Sequence, residues 1–183
     1  MRSDAQRNRE RILAAARSRV AAVGAEVSME EIAGAAGVAV GTLYRHFPAK
    51  HDLIAAVVDD SIEQIAGLAE ASRAAVERGD AAGPVLADLF RAIARRYVND
   101  RALKSAAGRL EPTVELTEAP AGTPAARASA AITAVLDQAQ RDHQVRADVT
   151  LTDLVMLIAA LPGSEVSEQQ RERYVEIVLA GLR

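Results

Sequence analysis

The sequence predicts an all-α protein, a three-helix N-terminal helix-turn-helix domain followed by a larger helical domain, and three observations predict it. Apolar residues recur at intervals of three and four through most of the chain, and no stretch alternates with the period of two that a half-buried strand requires. Three pairs, Ser28 with Glu31, Thr150 with Asp153 and Ser167 with Gln170, have the spacing of capping boxes and so mark helix starts. The run from Ser28 to Phe47, SMEEIAGAAGVAVGTLYRHF, reads as two short helices around one tight turn.

Helix one runs from about residue 5 to Val23, with Ile12, Leu13, Ala16, Val20 and Val23 as its packing stripe and Gly24 to close it. The second helix starts near Met29. There the Ser28 hydroxyl accepts from a free backbone N–H while the Glu31 carboxylate accepts from the Ser28 N–H. Met29, Ile32, Ala33 and Ala36 give it one buried face, Gly37 supplies the left-handed residue that ends it, and Val38 covers the turn. A third helix from about Val40 buries Leu43 and Phe47 and leaves Val40, Gly41, Thr42, Tyr44, Arg45 and His46 on or near the other face.

After Pro48 a long amphipathic helix runs from Lys50 through Leu53, Ile54, Val57, Val58, Ile62, Ile65 and Leu68 towards Gly79. Leu86, Leu89, Phe90, Ile93 and Tyr97 set the period of the next helix, and Leu103 to Leu110 a shorter one. Pro112, Pro120 and Pro124 then prevent a continuous helix and make Glu111 to Pro124 the one long loop. Helices resume at Ala125 to His143 and from Thr150 and Ser167. The last two carry more apolar residues than one core-facing stripe needs, among them Leu157, Ile158, Tyr174 and Val178, so part of that surface is expected to face a second subunit.

With 50% hydrophobic and 26% charged residues the chain is an ordinary globular one, and with no cysteine it can form neither disulfides nor thiolate metal sites. No apolar run reaches the roughly 18 residues of a membrane span, and the start of the chain is Arg-rich without a signal-peptide core, so a cytoplasmic location and no membrane partner are expected. The net charge of −3 is segregated. Residues 1 to 50 hold eight Lys/Arg against five Asp/Glu, a balance of +3, which leaves −6 on the remainder. Such a distribution directs the N-terminal end at phosphates and turns the rest away from them.

No catalytic or cofactor constellation is legible. His46, His51 and His143 are too scattered to form a metal set, and Asp59 and Asp60 point apart on a helix. No nucleophile elbow, phosphate loop or dinucleotide fingerprint occurs, so the expectation is no enzyme, no metal and no cofactor.

Spacing alone leaves open that Thr42, Tyr44, Arg45 and His46 are an ordinary solvated face. The stretch VAVGTLYRHFPAKHDL, Val38 to Leu53, however resembles the recognition-helix signature of the tetracycline-repressor (TetR) family of bacterial transcription regulators, and RILAAARSRVAAVG resembles the family's opening helix. The resemblance covers about the first 55 residues and departs from the family at Ala39, where Ser or Thr usually caps the recognition helix. It implies a DNA-binding domain over residues 1–49 and a helical effector-binding and dimerisation domain over 50–183. Double-stranded operator DNA is the implied partner, bound by a homodimer, for which the apolar surface of the helices at about 150–161 and 167–182 is the expected interface.

Among the exposed residues Arg45 is the choice for base readout, because its planar fork matches O6 and N7 of guanine. Val40 and Gly41 permit close approach, and Thr42, Tyr44, His46 and Lys50 resemble family positions that contact DNA, mostly phosphate. Arg7 and Arg9 are further candidates. The resemblance also implies a small-molecule effector pocket in the second domain. Phe90, Ile93, Tyr97, Leu103, Leu110, Ile132 and Leu136 are candidates to line it, although ordinary core is the commoner role of such residues. Arg95, Arg96 and Arg109 would recognise an acidic ligand if they face inward. A ligand-independent regulator or helical interaction module is the alternative.

Overall fold

The computed structural model describes residues 4–23, 26–99, 119–163 and 165–183. Over them the protein is helical, with α1 Asp4–Val23, α2 Met29–Ala36, α3 Val40–His46, α4 Lys50–Glu77, α5 Ala82–Asn99, α6 Pro124–Arg141, α7 Leu151–Ala159 and α8 Glu168–Gly181. Gly24, the segment from Leu103 to Leu110 and most of the loop from Glu111 to Pro124 lie outside the described residues. The chain divides into two compact units, the first reaching Ser61 within α4 and the second beginning at Ile62.

In the first unit the three helices bury the faces their spacing predicts, except at Val23. Ile12, Leu13, Ala16 and Val20 of α1 meet Met29, Ile32, Ala33 and Ala36 of α2, and Leu43, Phe47, Leu53 and Val57 close the core. Val23, in the last turn of α1, departs from the predicted stripe and is 53% exposed. Arg17 reaches across to Asp60 and ties α1 to α4. The Ser28–Glu31 capping box is closed in both directions, and the Ser28 N–H holds the Glu31 carboxyl below its usual range, with the Ser28 hydroxyl and Arg19 adding to the shift.

The second unit packs α5 on α6, α7 and α8. Its interior is rich in alanine. Ala66, Ala69, Ala82, Ala94, Ala128, Ala131 and Ala139 are buried with Leu86, Leu89, Phe90, Tyr97, Val135 and Leu136, and small side chains of this kind let helix axes approach closely. On α4 the buried residues in this region are alanines, while Leu68, expected inside, is 36% exposed. Bidentate ion pairs bind the helices at their rims. Arg127 of α6 grips both Glu63 and Glu70 of α4, each at 2.8 Å, and Arg91 of α5 grips Glu176 of α8 at 2.8 Å. Arg127 accordingly holds the Glu70 carboxyl below its ordinary value. The capping boxes at Thr150–Asp153 and Ser167–Gln170 are both present, and Thr123 caps α6 with Pro124 at its first turn.

Candidate nucleic-acid interface

The turn between α2 and α3 follows from Gly37. Its φ of 61° lies in the left-handed region, and its N–H donates to the Gly34 carbonyl while the Val38 N–H donates to that of Ala33, the pair of bonds that defines a Schellman ending. Ala39 then stands at the start of α3 with extended backbone and no side-chain hydrogen bond. Only its carbonyl engages the helix, accepting from Thr42 N–H at 2.8 Å and Leu43 N–H at 3.2 Å.

Leu43 is fully buried and Phe47 nearly so, which fixes the rotation of α3 about its axis. The consequence is the exposure of Val40, Gly41, Tyr44 and Arg45 on one side, with Thr42, His46 and Lys50 half-buried at its margins. A Cβ added at Gly41 would meet nothing within 4 Å. The protein's own packing therefore does not require glycine there, although glycine costs a helix interior up to about 1 kcal/mol relative to alanine. Lys50 opens α4, where the Asp52 carboxylate accepts from the Ala49 N–H at 3.0 Å. The seven sequence-selected residues thus share one continuous stretch of chain around an outward helix face.

Three arginines of α1 behave differently from one another. Arg7 pairs with Asp4, Arg9 lies over the Phe47 ring at 5.4 Å from its centroid, and Arg11 donates to the Gly37 carbonyl at 3.1 Å. Sequence reasoning missed the Arg11 contact, since its partner is 26 residues away and no local spacing announces it.

In the second unit Phe90, Tyr97 and Leu136 are buried, and Ile93 and Ile132 pack on a cluster of Ala69, Leu89 and Ala131. Burial pushes the Tyr97 phenol up from its ordinary pKa. Leu103, Leu110 and Arg109 lie outside the described residues. A groove of about 290 Å³ opens elsewhere, between Arg91, Ala94, Arg95 and Val98 of α5 and Arg171 and Val175 of α8. Two of its three arginines are already engaged, Arg91 by Glu176 and Arg171 by the carbonyls of Gly163 and Val166. Among the described residues no group of His, Asp and Glu is arranged to hold a metal, and no helix is long and apolar enough to cross a membrane.

Two helices set at a glycine turn on the buried face of a third, with the last helix aimed outward, define a helix-turn-helix DNA-binding protein. Comparison with known proteins narrows the class. Residues 12–57 match the family described as bacterial regulatory proteins of the tetR family, and residues 81–183 match the C-terminal domain of SbtR-like transcriptional regulators. The chain belongs to the TetR family of DNA-binding transcription regulators. Among solved structures, a TetR transcription regulatory protein from Mycobacterium vanbaalenii is 34% identical, with 98% of this chain and 97% of that one covered and a TM-score of 0.67. The TetR regulator SCO0520 from Streptomyces coelicolor is 27% identical over 96% of this chain and 98% of its own, with a TM-score of 0.65. A γ-butyrolactone receptor described as ArpA-like is 26% identical over 97% of each chain, with a TM-score of 0.59. No curated protein matches the chain. Members of this family bind operator DNA and small-molecule ligands and typically dimerise.

Proposed function

We propose that the protein is a cytoplasmic homodimeric repressor that binds a near-palindromic operator through residues 1–49 and is released by a small molecule bound within residues 50–183. The outward face of α3 carries this reading, because a buried Leu43 and an exposed Arg45, Tyr44 and Gly41 leave a side of the helix that the fold itself does not use. Arg45 reads a guanine edge, Lys50 holds phosphate, and the dimer sets two copies of α3 in successive major grooves. Gel shifts with duplexes selected from a random library test it. Arg45→Ala is expected to cost about 1 to 3 kcal/mol on the selected site and to relax preference at one base pair per half-site. Lys50→Ala is expected to weaken all sequences alike and to flatten the salt dependence. Equal losses on selected and random DNA for Arg45→Ala would remove it from base readout.

The effector part of the proposal is supported by the match of residues 81–183 and by a relative that is a γ-butyrolactone receptor. An apolar or weakly acidic molecule, with γ-butyrolactones as the first probes, is expected to raise the melting temperature and weaken operator binding by roughly 5- to 150-fold, with DNA weakening ligand binding by the same factor. One observation favours a ligand-independent regulator instead, the burial of Phe90, Tyr97 and Leu136 among their own neighbours. A broad thermal-shift screen without a single stabiliser would decide for it.

A further inference from the structure

The recognition helix starts without a cap. A Ser, Thr, Asn or Asp at its first position would accept from one of the free N–H groups of the first turn, which is typically worth about 1 kcal/mol. Ala39 has no atom to do so, and at seven residues α3 is too short to be helical on its own strength. Something else must fix its start. The Arg11 guanidinium does reach this turn, donating from Nη2 to the Gly37 carbonyl at 3.1 Å, two residues before Ala39. Gly37 suits this contact as well as the turn. Its φ of 61°, set by the end of α2, disfavours a side chain, and a Cβ there would stand 2.6 Å from Arg11 Nη2, so the guanidinium would have to shift to make room for one. At the other end of α3 the Arg9 guanidinium lies 5.4 Å over Phe47, the residue that ends the helix.

We propose that Arg11 is a positioning residue for DNA recognition, clamping the α2–α3 turn from α1 and so replacing the side-chain cap that Ala39 does not supply. This rests on α3 being the DNA-reading helix, and it makes a statement that reading does not. The clamp and a cap are alternative ways of holding one turn, so their effects on operator affinity are coupled. A guanidinium spent on a backbone carbonyl is also not a phosphate contact, so losing it leaves the number of counterions released unchanged.

The test is a double-mutant cycle on the full-length protein, with a duplex selected from a random library by the wild type and binding measured across a range of salt concentrations. Arg11→Ala is expected to weaken the selected duplex by about three- to tenfold, in the range of one lost cap or charged hydrogen bond, with the salt slope unchanged. Ala39→Ser in the wild-type background is expected to change affinity little. In the Arg11→Ala background it is expected to restore most of the loss, because the introduced hydroxyl then holds the first turn. Arg11→Met, which keeps the aliphatic stem but removes every donor, serves for the same cycle if Arg11→Ala does not fold. Three results would overturn the proposal: wild-type affinity in Arg11→Ala, a salt slope lower by about one with no rescue by Ala39→Ser, or an equal gain from Ala39→Ser in both backgrounds. A wild type that selects no duplex would instead refute the DNA-reading role of α3, and the clamp with it.

Discussion

Glutamate at both Met156 and Ile177 is expected to convert the protein into a monomer and to lower operator affinity by about 100-fold or more, although neither residue is in the DNA-binding unit. Met156 on α7 is 56% exposed and Ile177 on α8 is 57% exposed, the two largest exposures among the large apolar side chains of the described residues. The two helices are neighbours, since the Tyr174 hydroxyl reaches the Leu157 carbonyl at 3.5 Å. Apolar area left in water is worth about 25 cal/mol per Å² once covered, and in a two-fold dimer each such residue is covered twice. A carboxylate at these positions reverses the sign of that gain without touching the core, which Leu157→Glu and Val178→Glu would not guarantee because both residues are half-buried. A symmetric dimer binds two half-sites as one event, and a monomer loses that second, intramolecular contact. Sedimentation at micromolar concentration and gel shifts on full and half operators measure it. A double variant that sediments as a dimer, or a monomer that keeps full operator affinity, would remove these two helices from the interface.

What the sequence shows of this fold is the part written in short-range terms. Ser28 with Glu31, Thr150 with Asp153 and Ser167 with Gln170 each join residues three apart, so the bond that forms is determined by local backbone geometry and all three capping boxes are present. The left-handed Gly37 and the buried faces of α2 and α3 are legible for the same reason, since a fixed helical period sets which residues share a face. Val23 and Leu68 show the limit. Both belong to an apolar helical period yet are exposed, Leu68 with the buried Ala66 two residues before it and the buried Ala69 one after, because a period of large apolar residues does not say which side of the helix its neighbours cover.

The long-range charges were not legible at all. Arg127 with Glu63 and Glu70, Arg91 with Glu176, Arg17 with Asp60 and Arg11 with the Gly37 carbonyl are set by which helices lie side by side, and arginine is so common on helix surfaces that none stands out in the sequence. The candidate DNA face was legible for the opposite reason. Its residues lie within one short stretch, Val40 to Lys50, and two apolar anchors there are enough to say which side turns outward. The candidate effector residues are spread over α5, α6 and the stretch between them, so their common neighbourhood depends on packing that a period cannot supply.

Leu43→Ala is expected to destabilise the DNA-binding unit by about 2 to 5 kcal/mol and to abolish binding to selected and random DNA alike. Leu43 is fully buried and is the one buried residue within α3, a helix of seven residues whose start has no side-chain cap. Helices this short do not persist without tertiary contacts, so the packing of Leu43 against the α1–α2 core is what makes the segment helical. Truncation removes that contact and leaves a cavity, and about 2 to 5 kcal/mol is a large part of the roughly 5 to 15 kcal/mol that stabilises a typical domain. The expected loss differs in kind from that proposed for Arg45→Ala, an exposed residue whose truncation leaves the core intact and is expected to cost specificity at one base pair. The second unit has its own core around Leu89, Ala131 and Val135 and is expected to retain its helicity and its assembly. Far-UV circular dichroism on heating should therefore show an early transition for the first unit that is absent from the wild type and from Arg45→Ala, while sedimentation is unchanged. A Leu43→Ala protein that melts like the wild type and still binds its selected duplex would mean that α3 is held by Phe47 and the α1 arginines alone.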